Sequence, residues 1–221
     1  MKKFLKKYQH LWILSYFIIY LIWFNYVEKA VTTRFHVIHM TLDDYIPFCE
    51  YFVIPYFMWF GYVAWGVAYT ALRNRTDFYK LCGFLFTGMT VFLIASTLYP
   101  NGHDLRPLYF SHHNIFTTLC GYLYSIDTPT NLFPSIHVYN SLAIYFGLAH
   151  SKKLQNKKWI KNAALVLTIC IILSTMFLKQ HSVFDVLTAF ALAAFMYSVC
   201  YGSISVAFER RRQKRIPARQ L

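Results

Sequence analysis

The sequence predicts an all-α membrane protein: a polytopic bundle of six transmembrane helices in a single domain, 1–221. Three observations predict it. Hydrophobic residues make up 57% of the chain and charged residues only 14%, against about 45–50% and about 25% in soluble domains. Six apolar runs approach the roughly 20 residues that a bilayer span needs. The basic residues fall in alternate gaps between those runs, 18 of 22 on one side.

The first run, 11–27, follows a lysine-rich start. It resembles a signal peptide but lacks a small-residue cleavage site, so it is read as a first span. The second covers 46–72, with Pro47 and Pro55 in its first turns, where proline costs least. Asp43 and Asp44 stand just before it, placed to cap that helix. A polar turn, 73–77, leads to the third span, 78–98. The loop 99–133 contains an apolar piece, 115–124, too short to span and therefore interfacial or re-entrant. Residues 127–131 (Asp-Thr-Pro-Thr-Asn) have turn chemistry. The fourth span, 134–150, is short and opens on Ser135 and His137. After a basic loop come the fifth, 162–178, and the sixth, 183–208, with basic tails at 1–10 and 209–221.

With six spans, both termini and the even-numbered loops share the basic side. The positive-inside rule makes that side cytoplasmic. The net charge of +13 is then explained by topology and by attraction to anionic lipid heads, and nucleic-acid binding is excluded as a partner class. Five scattered cysteines without a C-x-x-C give no disulfide framework or zinc knuckle.

Three stretches bring titratable residues to the opposite, non-cytoplasmic face: 101–107, 133–137 and 179–185. In the last, His181 and Asp185 stand four apart and share a helix face. A carboxylate there can hold one imidazole nitrogen and leave the other free as nucleophile or base. The plainer alternative is a histidine at a helix start with Asp185 near the positive dipole end. Two histidines with cations at a membrane face suit phosphoryl transfer, which is mostly positioning and charge stabilisation. Arg106 can grip phosphate as a fork, and Lys179 can add a point charge. Ser135 and the backbone at the start of the fourth span can add donors. His181 would attack phosphorus and His137 would serve as acid, then base.

These residues resemble the type 2 phosphatidic acid phosphatases, the PAP2 superfamily, over roughly 46–208. That family carries a K-x6-R-P, a P-S-G-H and an S-R-x5-H-x3-D. This chain has Arg106-Pro107, then Pro134-Ser135-Ile136-His137, then Ser174 with His181 and Asp185 at the family spacing. The resemblance implies a metal-independent enzyme without cofactor that hydrolyses a lipid phosphate, with His181 as nucleophile, Asp185 as its orienter and His137 as acid. Three positions depart: Tyr99 stands for the first lysine, Ile136 for the glycine and Thr175 for the arginine. Lys179 is placed to replace one missing cation. The variant pattern is closer to the branch with inositol phosphorylceramide synthases, which transfer a phospho-headgroup between lipids. A phosphatase, such a transferase and a silent membrane binder or transporter on the same scaffold are the three readings. His103, His112 and His113 invite a metal reading, but Asp104 is the only carboxylate at ligand spacing on their loop. Asn140 is either a substrate contact or glue between helices.

Overall fold

In the computed structural model, residues 8–30, 34–202 and Ser205 are described. The tails expected to be basic and cytoplasmic lie outside the described residues except for 8–10. A 3-10 segment, Gln9–Ser15, leads into α1 (Tyr16–Ala30). Then come β1 (His36–Val37), the short α2 (Thr41–Tyr45), a 3-10 turn at Glu50–Phe52, and α3 (Val53–Arg73). These are followed by α4 (Arg75–Leu98), β2 (Asn101–Gly102), α5 (Ile115–Ile126) and α6 (Ile136–Ala149). A 3-10 turn at Lys152–Leu154 precedes α7 (Lys158–Phe177) and α8 (Val183–Cys200).

Five helical segments among the described residues are long and apolar enough to cross a membrane: Gln9–Ala30, Glu50–Arg73, Arg75–Leu98, Lys158–Phe177 and Val183–Cys200. The expected fourth span is the 14-residue α6, about 21 Å at a rise of ~1.5 Å per residue. That is short of a ~30 Å hydrocarbon core. Helix α6 lies at the centre of the bundle, packed on α3, α4, α7 and α8, and its face is buried nearly all round, from Val138 to Leu148. Neighbouring helices, not lipid, surround it, so its ends need not reach the membrane surface unaided. Pro47 lies before α3, outside its first turns, whereas Pro55 is its third residue.

Helices α4 and α6 approach closely at Gly88. The Tyr139 ring lies where a Cβ on Gly88 would sit, and its hydroxyl donates to the Phe84 carbonyl at 2.7 Å. Around this core, Ile22, Phe60, Val166 and Phe195 point outward. Such an apolar exterior fits a lipid environment.

The two ends differ. Arg73, Lys153 and Lys157 line one cavity at one end. At the other, parallel strands β1 and β2 pair His36 with Asn101, and Gly102 bridges to Thr130. Asn101 is fully buried. Its side chain accepts from Leu132 N (2.8 Å) and Phe133 N (3.0 Å), which fixes the entry into α6.

Candidate active site

Two helix starts set the site. Ser135 is the N-cap of α6, its hydroxyl accepting from Val138 N. Its backbone N–H donates to the Asp185 carbonyl at 3.2 Å, which pins the start of α6 to the first turn of α8. Ser182 caps α8, and the Asp185 carboxylate accepts from Ser182 N at 3.1 Å, closing a reciprocal capping box. The chain between α7 and α8 is folded back onto its own helix: Gln180 N and His181 N both donate to the Thr175 carbonyl.

This brings the two histidines together. His181 Nε2 lies 3.4 Å from His137 Nδ1. On the other side of its ring, His181 Nδ1 lies 3.5 Å from Asp185 Oδ2, a distance for charge attraction rather than a tight hydrogen bond. Asp185 is fully buried and His181 nearly so. His137 rests against Tyr56 and Trp59, with ring centroids 4.6 and 4.4 Å away. The pair opens on a small cavity of about 50 Å³ that Glu28, Asp127 and Asn131 also line.

The cations are distributed unevenly. Arg106 donates to the side-chain oxygen of Gln180, the residue before His181. It also donates to the Tyr124 carbonyl at 3.4 Å and stacks 4.5 Å over the Tyr124 ring. Its Nε is buried without a partner, so the guanidinium keeps a donor in reserve. Lys179 has a positive φ of 53°, and its ammonium donates to the Asp43 carbonyl at 2.7 Å. It lines a different cavity, of about 600 Å³, with His39, Asp44 and Asp104. Burial holds the pKa of Lys179 below its ordinary value, against the pull of Asp43 and Asp44. Ser135 is fully buried and occupied in capping.

Sequence reasoning missed several residues here. Asp43 caps α8, not the helix that follows it: its carboxylate accepts from Ser182 Oγ at 2.6 Å and Val183 N at 2.7 Å. Glu28 accepts from Thr128 Oγ1 (2.6 Å) and Asn131 Nδ2 (3.0 Å), and Asp127 accepts from Tyr56 OH (2.8 Å). The turn composition of 127–131 was the one signal that pointed near them. His103 is buried, and its Nδ1 accepts from Leu105 N at 3.2 Å. Burial pushes its pKa down to about 4, helped by the neighbouring His181 and Arg106 and opposed by the Gln180 backbone. His112 and His113 are exposed, and no cluster of three or more ligating side chains occurs among the described residues. Asn140 is buried in α6, with its carbonyl oxygen unpartnered.

Fold and site together define a polytopic helical protein of membrane type, with a buried histidine pair at one end of its bundle. The family model of the PAP2 superfamily matches residues 104–209, a little under half of the chain. That stretch holds Arg106, Ser135, His137, Lys179, His181 and Asp185. Proteins of this superfamily are generally phosphatases. Searches of curated proteins and of solved structures return no match.

Proposed function

We propose that the protein is a membrane lipid phosphatase that hydrolyses a lipid phosphate or pyrophosphate through a phosphohistidine. The observation that carries this reading is the 3.4 Å approach of His181 Nε2 to His137 Nδ1 with a buried carboxylate behind His181. The proton on His181 Nδ1 faces Asp185, so the Nε2 lone pair is the one free to attack. Attack forms the N–P bond and breaks the bond from phosphorus to the lipid oxygen. His137 gives its proton to that oxygen, then takes one from the water that cleaves the N–P bond and frees phosphate. A phosphoryl group has to pass between nitrogens that now lie within hydrogen-bonding distance of each other, so the pair parts when substrate enters. Arg106 and the α6 N-terminus at Ser135 supply donors to the phosphoryl oxygens. Lys179 joins them by exchanging the Asp43 carbonyl for phosphate. Lys179→Ala then costs about 2 kcal/mol, roughly 30-fold in kcat/KM. Activity within about twofold of wild type would leave Lys179 as an anchor for Asp43 alone.

In this reading α6 completes six crossings, both termini are cytoplasmic, and the site faces the other side. A tag inserted at Ser111 and scored as cytoplasmic would refute that orientation.

One observation favours a second reading, the phospho-headgroup transferase. Glu28 and Asp127 line the histidine cavity, and two carboxylates oppose a dianionic monoester more than a monoanionic diester. Purified protein with a panel of lipid phosphates separates the readings. Free phosphate from a monoester supports hydrolysis; a lipid product that requires an added lipid acceptor supports transfer. Neither product would sink both.

A further inference from the structure

We propose that the groove between the N-terminal segment and α3 holds one hydrocarbon chain of the phosphorylated lipid, with its head beside His137. The proposal rests on the phosphoryl-transfer reading above and adds where the tail of the substrate lies. The groove encloses about 560 Å³ and is lined by apolar side chains throughout. Its cause is a packing gap. Helix α1 makes its main helix contacts with α4, and α3 also packs on α4, so the outer edges of α1 and α3 stand apart. Leu11, Leu14 and Phe17 form one wall. On the other, Ala64, Ala68 and Ala71 recur on one face of α3, where larger side chains would close the gap.

Two features tie the groove to the histidines. Trp59 lines its upper end while the indole packs on the His137 ring at 4.4 Å. The Trp59 indole N–H is buried without an acceptor, a donor left free on the ring that packs against His137. At the far end, His10 Nε2 donates to the Ala71 carbonyl at 2.9 Å, which holds the N-terminal segment against α3 and closes the groove.

The length selects the chain. From Trp59 to Leu72 the groove follows α3 for about 20 Å at ~1.5 Å per residue. Half of a ~30 Å hydrocarbon core is about 15 Å. The groove is longer than that half-thickness and suits a single long chain better than a short one. Ordinary bilayer lipid can also lie against an apolar groove, so the test has to depend on the phosphate.

The probe is hexadecyl phosphate with a diazirine at the chain end, added to the full-length protein in detergent. The expected result is label on α3 near Ala68 and Leu72, removed by excess hexadecyl phosphate and not by hexadecanol. In Ala68→Phe, labelling there falls about tenfold as the added ring fills the groove. The ratio of hexadecyl phosphate to hexyl phosphate turnover falls alongside, and a ratio is insensitive to the fraction folded. Label on other helices, or label that hexadecanol competes as well as the phosphate does, overturns the groove. So does a turnover ratio unchanged in Ala68→Phe. If the wild type turns over neither phosphate, the phosphatase reading falls, and the labelling alone decides whether the groove takes a phosphorylated chain.

Discussion

At the end of the bundle that carries Arg73, Lys153 and Lys157, helices are joined by short turns and the charges face outward. At the end that carries His137 and His181, loops far apart in sequence are knitted by buried polar groups: Asp43 to the start of α8, Asn101 to the start of α6, Gln180 to Arg106. The first end is marked by the basic composition of its turns. The second holds two imidazoles in register through hydrogen bonds whose partners lie tens of residues apart. Charge alone marks the first end, whereas the second depends on particular buried partners, with a few donors such as Arg106 Nε left unpaired at the site.

That contrast can be broken or sharpened by mutation. The largest expected effect is at Asp43. Its removal leaves the buried Ser182 Oγ and the half-buried Met40 N and Val183 N without their acceptor. Asp43→Ala is expected to cost about 4 kcal/mol at ~1–3 kcal/mol per orphaned group, with Asp43→Asn recovering part. Thermal midpoints in detergent measure it, and a shift no larger than that of Lys153→Ala would show that the knitted end is not special.

Next is the pH response of His103, 2% exposed. Its folded pKa is depressed from 6.5 to about 4, so the folded state resists binding its proton. The contribution to stability is fully present above pH ~6.5, is lost as pH falls towards 4, and levels off below. The depression corresponds to about 3 kcal/mol. His103→Gln is expected to flatten that part of a stability–pH profile; an unchanged slope would place the titration elsewhere.

A matched pair of asparagines compares the ends directly. Asn101→Ala orphans the buried Leu132 N–H and the half-buried Phe133 N–H and is expected to cost about 2 kcal/mol. Asn74 caps α4 at the basic end by accepting from Thr76 N and Asp77 N, and Asn74→Ala is expected to cost about 1 kcal/mol. Activity should fall with the first and hold with the second. Equal losses of activity would erase the distinction between the ends.

Much of this architecture was legible because hydropathy and helix length report on each other. The third and fifth apolar runs appear as α4 and α7 within a few residues, and 115–124 appears as the short α5. Spacing and motif order pointed to His181, Asp185 and His137 together, although His181 sits in the turn before the Ser182 N-cap and not on a helix face shared with Asp185. Other features were not legible. Tyr99, at the position of the missing lysine, stacks flat on His36 at 4.2 Å. Thr175, at the position of the missing arginine, donates back to the Ile172 carbonyl. Neither leaves a trace in local pattern. The β1–β2 pair is two residues long, below any periodicity. Asp43 caps a helix 139 residues further on, which no local rule for caps can see. Lys179 is two residues from His181 in sequence, but that spacing shows neither its positive φ nor its bond to the Asp43 carbonyl, which direct its ammonium towards the cavity lined by His39 and Asp104.

In the proposed mechanism His181 and His137 have different roles because only His181 has a carboxylate behind it. Rapid-quench trapping of labelled phosphate on the protein tests it most directly, using an activated aryl phosphate whose leaving group needs no proton. Phosphoenzyme is expected in wild type, absent in His181→Ala, and accumulating without turnover in His137→Ala because no base activates water. Asp185→Asn should fall between wild type and His181→Ala. Phosphoenzyme that persists in His181→Ala and vanishes in His137→Ala would contradict the account.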